Sequence, residues 1–206
     1  MLPQPTISST MRPLEYNGTP AGILMNHSIA RAFLGLPLAG LALLADVRNC
    51  GCDPSRPESL EARECGLCRE AEKQPAGIGI FFLKDINPRK ANRWLALPRA
   101  HKHNLLEMTR EERTALWEAA IAKGKELWGD GWGLAFNGNL VRTQCHAHLH
   151  IGKFLPAVEN DRNLRVVKLA ADIPAPEDDS GMWVHPVDGK LHVHLGEQIC
   201  ETTLLR

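Results

Sequence analysis

The chain lacks an excess of charge of either sign: Lys+Arg and Asp+Glu both number 24 in 206 residues. No global field therefore draws it to nucleic acid or to an anionic membrane surface, and any phosphate chemistry must come from a local site. It also lacks an apolar run of confident membrane-spanning length. The run 32–45 is interrupted by Gly35, Pro37 and Gly40 and falls short of the roughly 20 residues a spanning helix needs. There is no internal repeat, which argues against a solenoid or propeller. The six cysteines (50, 52, 65, 68, 145, 200) are too few to frame a disulfide-built miniprotein in a chain this long; they fit a metal clip, one or more disulfides, or buried thiols. What is present is 44% hydrophobic content, enough for the core of one domain with appended segments.

Residues 1–24 are rich in Pro, Ser, Thr and Gly, and little order is expected there. Met25 is an alternative start, which makes 1–24 an over-long reading of the gene. Residues 25–48 place Arg31 ahead of the apolar run 32–45, the arrangement of a signal or anchor segment. The expectation is an exported or membrane-anchored protein on the periplasmic side, or a cytoplasmic one if 32–45 is not a signal. Residues 49–64 read as a polar linker.

The folded domain is expected from Cys65 to Pro156. Gly79–Lys84 has strand composition and ends at the turn signal Asp85-Ile86-Asn87-Pro88, and Arg93–Pro98 alternates as a second strand. Thr109 and Glu112 form a capping-box pattern for a helix running to about Trp128, with Leu116, Ala120, Lys123 and Leu127 on one stripe. Gly129-Asp130-Gly131 ends it. Trp132–Phe136 is a third strand, and Trp117, Trp128 and Trp132 are expected in the core. Beyond it, 157–206 forms an extension: a strand at Arg165–Leu169, then a hairpin turning at Asp188-Gly189. Its His185, His192 and His194 are expected on polar hairpin faces.

The most informative stretch is His146-Ala147-His148-Leu149-His150-Ile151-Gly152. Side chains alternate across a strand, so all three histidines line one face while Ala147, Leu149 and Ile151 enter the core. Three readings are open: metal ligation, since His-x-His on a strand presents two nitrogens to zinc; an imidazole nucleophile towards phosphorus; and a polar strand face. Three histidines at strict period two, after Arg142-Thr143-Gln144, count against the last.

This motif resembles the signature of the histidine triad superfamily, whose members hydrolyse or transfer nucleotides at the α-phosphate. Leu83-Lys84-Asp85-Ile86-Asn87-Pro88 and Leu97-Pro98-Arg99-Ala100-His101 are similar to the family's ribose-binding segment and its Pro-Lys-x-His segment. The loop Asn137…Arg142-Thr143-Gln144 is most like that of the CDP-diacylglycerol pyrophosphatase branch, although this chain is shorter after the triad. The resemblance implies an α+β fold, a mainly antiparallel sheet packed against the long helix with a C-terminal hairpin added, and a homodimer. It implies a nucleotide or nucleotide-lipid substrate, with membrane proximity through the N-terminal segment. His148 would attack the α-phosphorus with its tautomer fixed by a strand carbonyl, and His146 and His150 would hydrogen-bond around it. Arg142 matches phosphoryl oxygens bidentately; Thr143 or Gln144 would contact the leaving group, Asn137 a phosphate or ribose oxygen, Asp85 the ribose and Ile86 the base. No cofactor is required for that chemistry. A structural zinc on Cys65, Cys68, His101 and His146 is implied by some members, with His103 as a spare ligand. A nucleotide-binding module of little turnover, a hydrolase of dinucleoside polyphosphates and a metalloprotein remain alternatives.

Overall fold

The computed structural model describes residues 47–206; the expected disordered start (1–24) and all but the end of the signal or anchor segment (25–48) lie outside these residues. Among the described residues no helix is long and apolar enough to cross a membrane. The class is α+β. Seven strands, β1 (Ile80–Lys84), β2 (Trp94–Pro98), β3 (Trp132–Phe136), β4 (Leu149–Lys153), β5 (Leu164–Val167), β6 (Gly181–Val187) and β7 (Lys190–Glu197), form one sheet in the order β1-β2-β4-β3-β6-β7-β5. Every pairing in it is antiparallel. The C-terminal strands thus continue the same sheet rather than standing apart as an extension. The hairpin turns where expected: Asp188 and Gly189 both take positive φ (48° and 73°), the twist that a two-residue turn between right-twisted strands requires.

The long helix α2 (Arg110–Trp128) begins at the expected cap. The Thr109 hydroxyl accepts the Glu112 N–H, and the Glu112 carboxylate accepts the Thr109 N–H. Its buried stripe is Leu116, Trp117, Ala120 and Gly124 rather than the expected Leu116, Ala120, Lys123 and Leu127. The reason is close approach. A Cβ on Gly124 would lie 3.0 Å from the Trp132 Cβ, so the helix turns its glycine to the sheet and swings the Lys123 ammonium over the Trp94 ring at 4.8 Å. This face of the sheet carries the main core, with Ala147, Leu149, Ile151, Leu134 and Phe136 fully buried.

The opposite face is covered in two places. At one end, α1 (Gly66–Glu72) sets Ala71 against Phe81, Leu95 and Leu97. At the other, Ala135, Phe154 and Trp183 pack with Cys200 and Leu204 of the C-terminal segment. That segment sits on paired glycines: Gly133 and Gly152 are register partners, and a Cβ on either would meet the Leu204 side chain at 2.7 or 3.1 Å. Arg93, 1% exposed, holds it there by donating to the Glu201 carboxylate and to the Glu201, Leu204 and Leu205 carbonyls.

The segment expected as a linker is fastened to the domain. Cys50 is bonded to Cys145 and Cys52 to Cys65, and Val47, Cys52 and Leu60 are buried with them. Polar composition suggested a free connection because the pairing partners are distant in sequence. Replacing Cys50 and Cys145 by Ser opens a cross-link spanning 95 residues and is expected to cost about 2–5 kcal/mol, measured as a lower urea midpoint. An unchanged midpoint would mean that the bond does not restrain the unfolded chain.

Candidate functional site

The histidine stretch enters the sheet later than its alternation suggests: β4 starts at Leu149, not at His146. The β2–β4 pairing stops at Ala96 and Leu149, and the Pro98 carbonyl beyond it accepts the His146 ring N–H. Ala147 bonds instead to the Lys102 carbonyl, and Cys145 to that of Glu64. The alternation survives the break. Ala147, Leu149 and Ile151 face the α2 core, while the His148 and His150 rings meet edge to face at 4.9 Å. His150 stands between Leu95 and Ala135 in the cross-strand register, so these rings lie between the two smaller clusters on the second face of the sheet, His148 5% and His150 6% exposed.

The His148 ring is oriented by the chain two residues back. Its Nδ1–H donates to the His146 carbonyl at 2.8 Å, so Nε2 carries the lone pair. Burial, with the charges of His150 and Arg142 behind it, holds His148 well below the ordinary imidazole range, so the ring is neutral at neutral pH. His150 is held down to about 3 by burial and by the cations Lys90, Arg93 and Arg142. Asn137 donates Nδ2–H to His150 Nε2 at 3.4 Å and accepts the Glu201 N–H at 2.9 Å. The Glu201 carboxylate lies 3.7 Å from His150 Nδ1.

Arg142 comes from the loop between β3 and β4, its guanidinium carbon 4.9 Å from the centre of the Phe136 ring. It is 2% exposed, and one guanidinium nitrogen donates to the His103 carbonyl and to Asn139 Oδ1, each at 2.6 Å. Asn139 is in turn aimed by Asp179 at 2.6 Å. The remaining Nε and Nη1 are buried with no hydrogen-bond partner among the described residues. Burial lowers the guanidinium to about 10, which still leaves it charged. Two donor nitrogens of a buried cation left without acceptors are costly, a cost that the Phe136 ring face 4.9 Å away offsets in part.

Several expected residues are placed otherwise. The His146 ring turns away from His148: its Nε2–H donates to the Pro98 carbonyl at 2.8 Å, and it packs edge-on to His101 at 5.3 Å. Its contact with His148 is through the backbone carbonyl. Gln144 is committed to α1, accepting the Leu67 N–H and donating to the Arg63 carbonyl, so its amide is not offered to a leaving group. Thr143 is exposed. Asp85 continues β1 on the histidine face, its N–H donating to Arg93 O and its carboxylate accepting the Asn87 N–H. Ile86 is 99% exposed, a bare apolar side chain beside it. A depression of about 490 Å³ lined by Val166, Val167, Lys168, Asp172 and Lys190 lies on and around β5, at the sheet edge remote from these residues.

The expected zinc quartet does not form. Cys65 is bonded to Cys52, leaving Cys68, His101 and His146 close together. The Cys68 thiol is pushed up to about 11 by burial, and a structural zinc site closes on four ligands. His101 donates to Glu72 at 2.9 Å, and His103, the spare, approaches Glu107 instead at 3.8 Å. Glu201, Arg93 and Asn139 were not anticipated. They act through contacts 40 or more residues distant, or within a loop whose polar residues look alike, and no local signal marks them.

No family model matches the chain, and no curated protein matches it.

Burial of neutral imidazoles fixes the sign of one acid dependence. His146 is lowered to about 4 and His150 to about 3, so between those values and the unfolded value near 6.5 the unfolded chain binds more protons. Stability from these rings is complete above about 6.5 and is lost as pH falls towards 3–4. Urea unfolding is expected to show stability dropping from pH ~7 to ~4, with a shallower slope in His150→Gln. A flat or rising profile over that range contradicts the buried, neutral state.

Proposed function

We propose that the chain is a hydrolase of nucleotide phosphoanhydrides with a histidine triad-type fold and chemistry, acting through a nucleotidyl-histidine intermediate. The observation that carries the reading is a pre-aimed neutral imidazole, His148 bonded through Nδ1 to its own strand, within the electrostatic influence of a buried guanidinium that lies over the Phe136 ring at 4.9 Å and has two donor nitrogens without acceptors among the described residues. The first is what in-line attack on phosphorus needs, and the second is what a transferring phosphoryl group needs.

In this mechanism His148 Nε2 attacks the α-phosphorus and forms an N–P bond. The anhydride P–O bond breaks, and its electron pair leaves with the departing phosphate. Arg142 donates Nε–H and Nη1–H to the non-bridging oxygens. The His146 carbonyl takes up the positive character that develops on the ring through Nδ1–H. Water then attacks the same phosphorus and gives up a proton to solvent, the N–P bond breaks, and the electron pair returns to Nε2. His150 and Asn137 hold the polar surface beside the nucleophile. Asp85 and Ile86 are assigned to ribose and base, one accepting hydroxyl protons and the other offering the bare apolar surface against which a base stacks.

Two disulfides suit an oxidising compartment, and with the apolar run 32–45 they favour the exported side of a membrane. A nucleotide-lipid anhydride of the CDP-diacylglycerol kind is therefore the substrate class proposed. The test is a hydrolysis panel of CDP-diacylglycerol, dinucleoside polyphosphates and adenosine phosphoramidate. Turnover of the lipid substrate is expected, with kcat lowered about 10⁴-fold or more in His148→Ala and about 10²–10³-fold in Arg142→Gln. Binding of nucleotides with equal inertness towards all three would replace the enzyme with a binding module.

A further inference from the structure

The hairpin β6–β7 carries three histidines that the proposed reaction does not use. Its register makes His185 and His192 direct cross-strand partners and sets His194 opposite Trp183. Alternation then puts all three imidazoles on the face away from α2. The chain after β4 returns over this face through the turn Pro156–Val158 and delivers Glu159 to them. One carboxylate oxygen lies 2.5 Å from His185 Nε2; the other lies 3.1 Å from His192 Nδ1 and 3.5 Å from His194 Nε2. One donor atom from each of the four residues lies within 4.8 Å of the others.

A polar hairpin face does not account for this cluster. His194 and His185 are 0% and 2% exposed, whereas a hairpin's polar residues normally look outward. Three rings also converge on a single carboxylate. Only His192 makes a hydrogen bond to it; His185 Nε2 and both nitrogens of His194 are buried without a hydrogen-bond partner among the described residues. Buried polar networks are normally satisfied throughout. Four lone-pair donors that converge this closely, with one hydrogen bond among them, are what a cation binds. The rings are also held in place: His194 stacks on Trp183 at 3.5 Å and His185 on Phe154 at 3.9 Å.

We propose that Glu159, His185, His192 and His194 bind one divalent first-row transition ion of the zinc class. Three imidazole nitrogens and one carboxylate oxygen are a ligand set that Zn²⁺ accepts in four-coordinate geometry, and they are poor for Mg²⁺ or Ca²⁺, which prefer oxygen throughout. Four protein ligands close the coordination shell, so the ion is structural. It ties β6 and β7 to the segment that follows β4. The site is separate from His148. His150, Ala135, Trp183 and His194 follow one another across adjacent strands, which places it roughly 15 Å from the proposed nucleophile at about 4.8 Å per strand, with the Trp183 and Phe154 rings between. The proposal stands whether or not the hydrolase reading holds.

The full chain, freed of metal with a chelator, is titrated near neutral pH with Zn²⁺ and, as a spectroscopic probe, with Co²⁺. The expected result is one Zn²⁺ bound with a Kd below about 1 μM, and an affinity at least ~100-fold lower in both His192→Gln and Glu159→Gln. These two residues are the most exposed of the four, so the variants are the ones least apt to disturb folding. The Co²⁺ form of the wild-type chain should show tetrahedral visible bands that depend on His192. A thiolate-to-cobalt band that disappears in Cys68→Ser would report binding at Cys68, His101 and His146 instead. The proposal is overturned if the wild-type chain takes up no Zn²⁺ tighter than about 10 μM, or if every equivalent bound survives both His192→Gln and Glu159→Gln.

Discussion

The hydrogen bond from His148 Nδ1–H to the His146 carbonyl is the constraint on which the site depends. It is made because β4 does not begin until Leu149. Ahead of that point the chain is laddered to neither neighbouring strand, and the Pro98 carbonyl is taken by the His146 ring. The carbonyl of His146, which the register would turn towards β3, accepts a side chain instead of a strand N–H. A break in the sheet aims the imidazole.

Around the His148–His150 pair the fold supplies charge from two directions. Arg142 comes from the loop between β3 and β4, where Asn139 and Asp179 orient it. Glu201 comes from the end of the chain, seated by Leu204 on Gly133 and Gly152 and clamped by Arg93. The disulfide from Cys50 to Cys145 holds the residue immediately before His146. The site therefore depends on segments from both ends of the described chain. Buried, neutral histidines set among an arginine and a carboxylate carry a cost in acid that an ordinary polar strand would not.

Much of this was legible from residue order, and the parts that were not share a cause. Thr109 and Glu112 announce the start of α2, Asp188-Gly189 announces the hairpin, and the alternation of Ala147, Leu149 and Ile151 announces which side faces the core. These signals are local. The late start of β4 goes with bonds to other segments, the His146 ring to the Pro98 carbonyl and the Ala147 N–H to that of Lys102. The fate of Cys65 was misjudged because Cys-x-x-Cys suggests a metal clip, whereas the competing partner, Cys52, lies in a segment whose polarity resembles a linker. Gln144 looked catalytic by position, but tertiary packing gave its amide to α1. His185, His192 and His194 looked like a solvated pattern on a hairpin. Glu159, which brings them together, belongs to a turn outside that pattern.

The account is tested most directly at a single atom. Rapid acid-free quenching of turnover with a nucleotide-lipid anhydride, followed by peptide mass spectrometry and ³¹P NMR, locates any covalent nucleotide on the chain. The account predicts a phosphoramidate on Nε2 of His148, absent from His148→Ala. A nucleotide on Nδ1 of that ring or on another residue, or turnover that proceeds undiminished in His148→Ala, would contradict it.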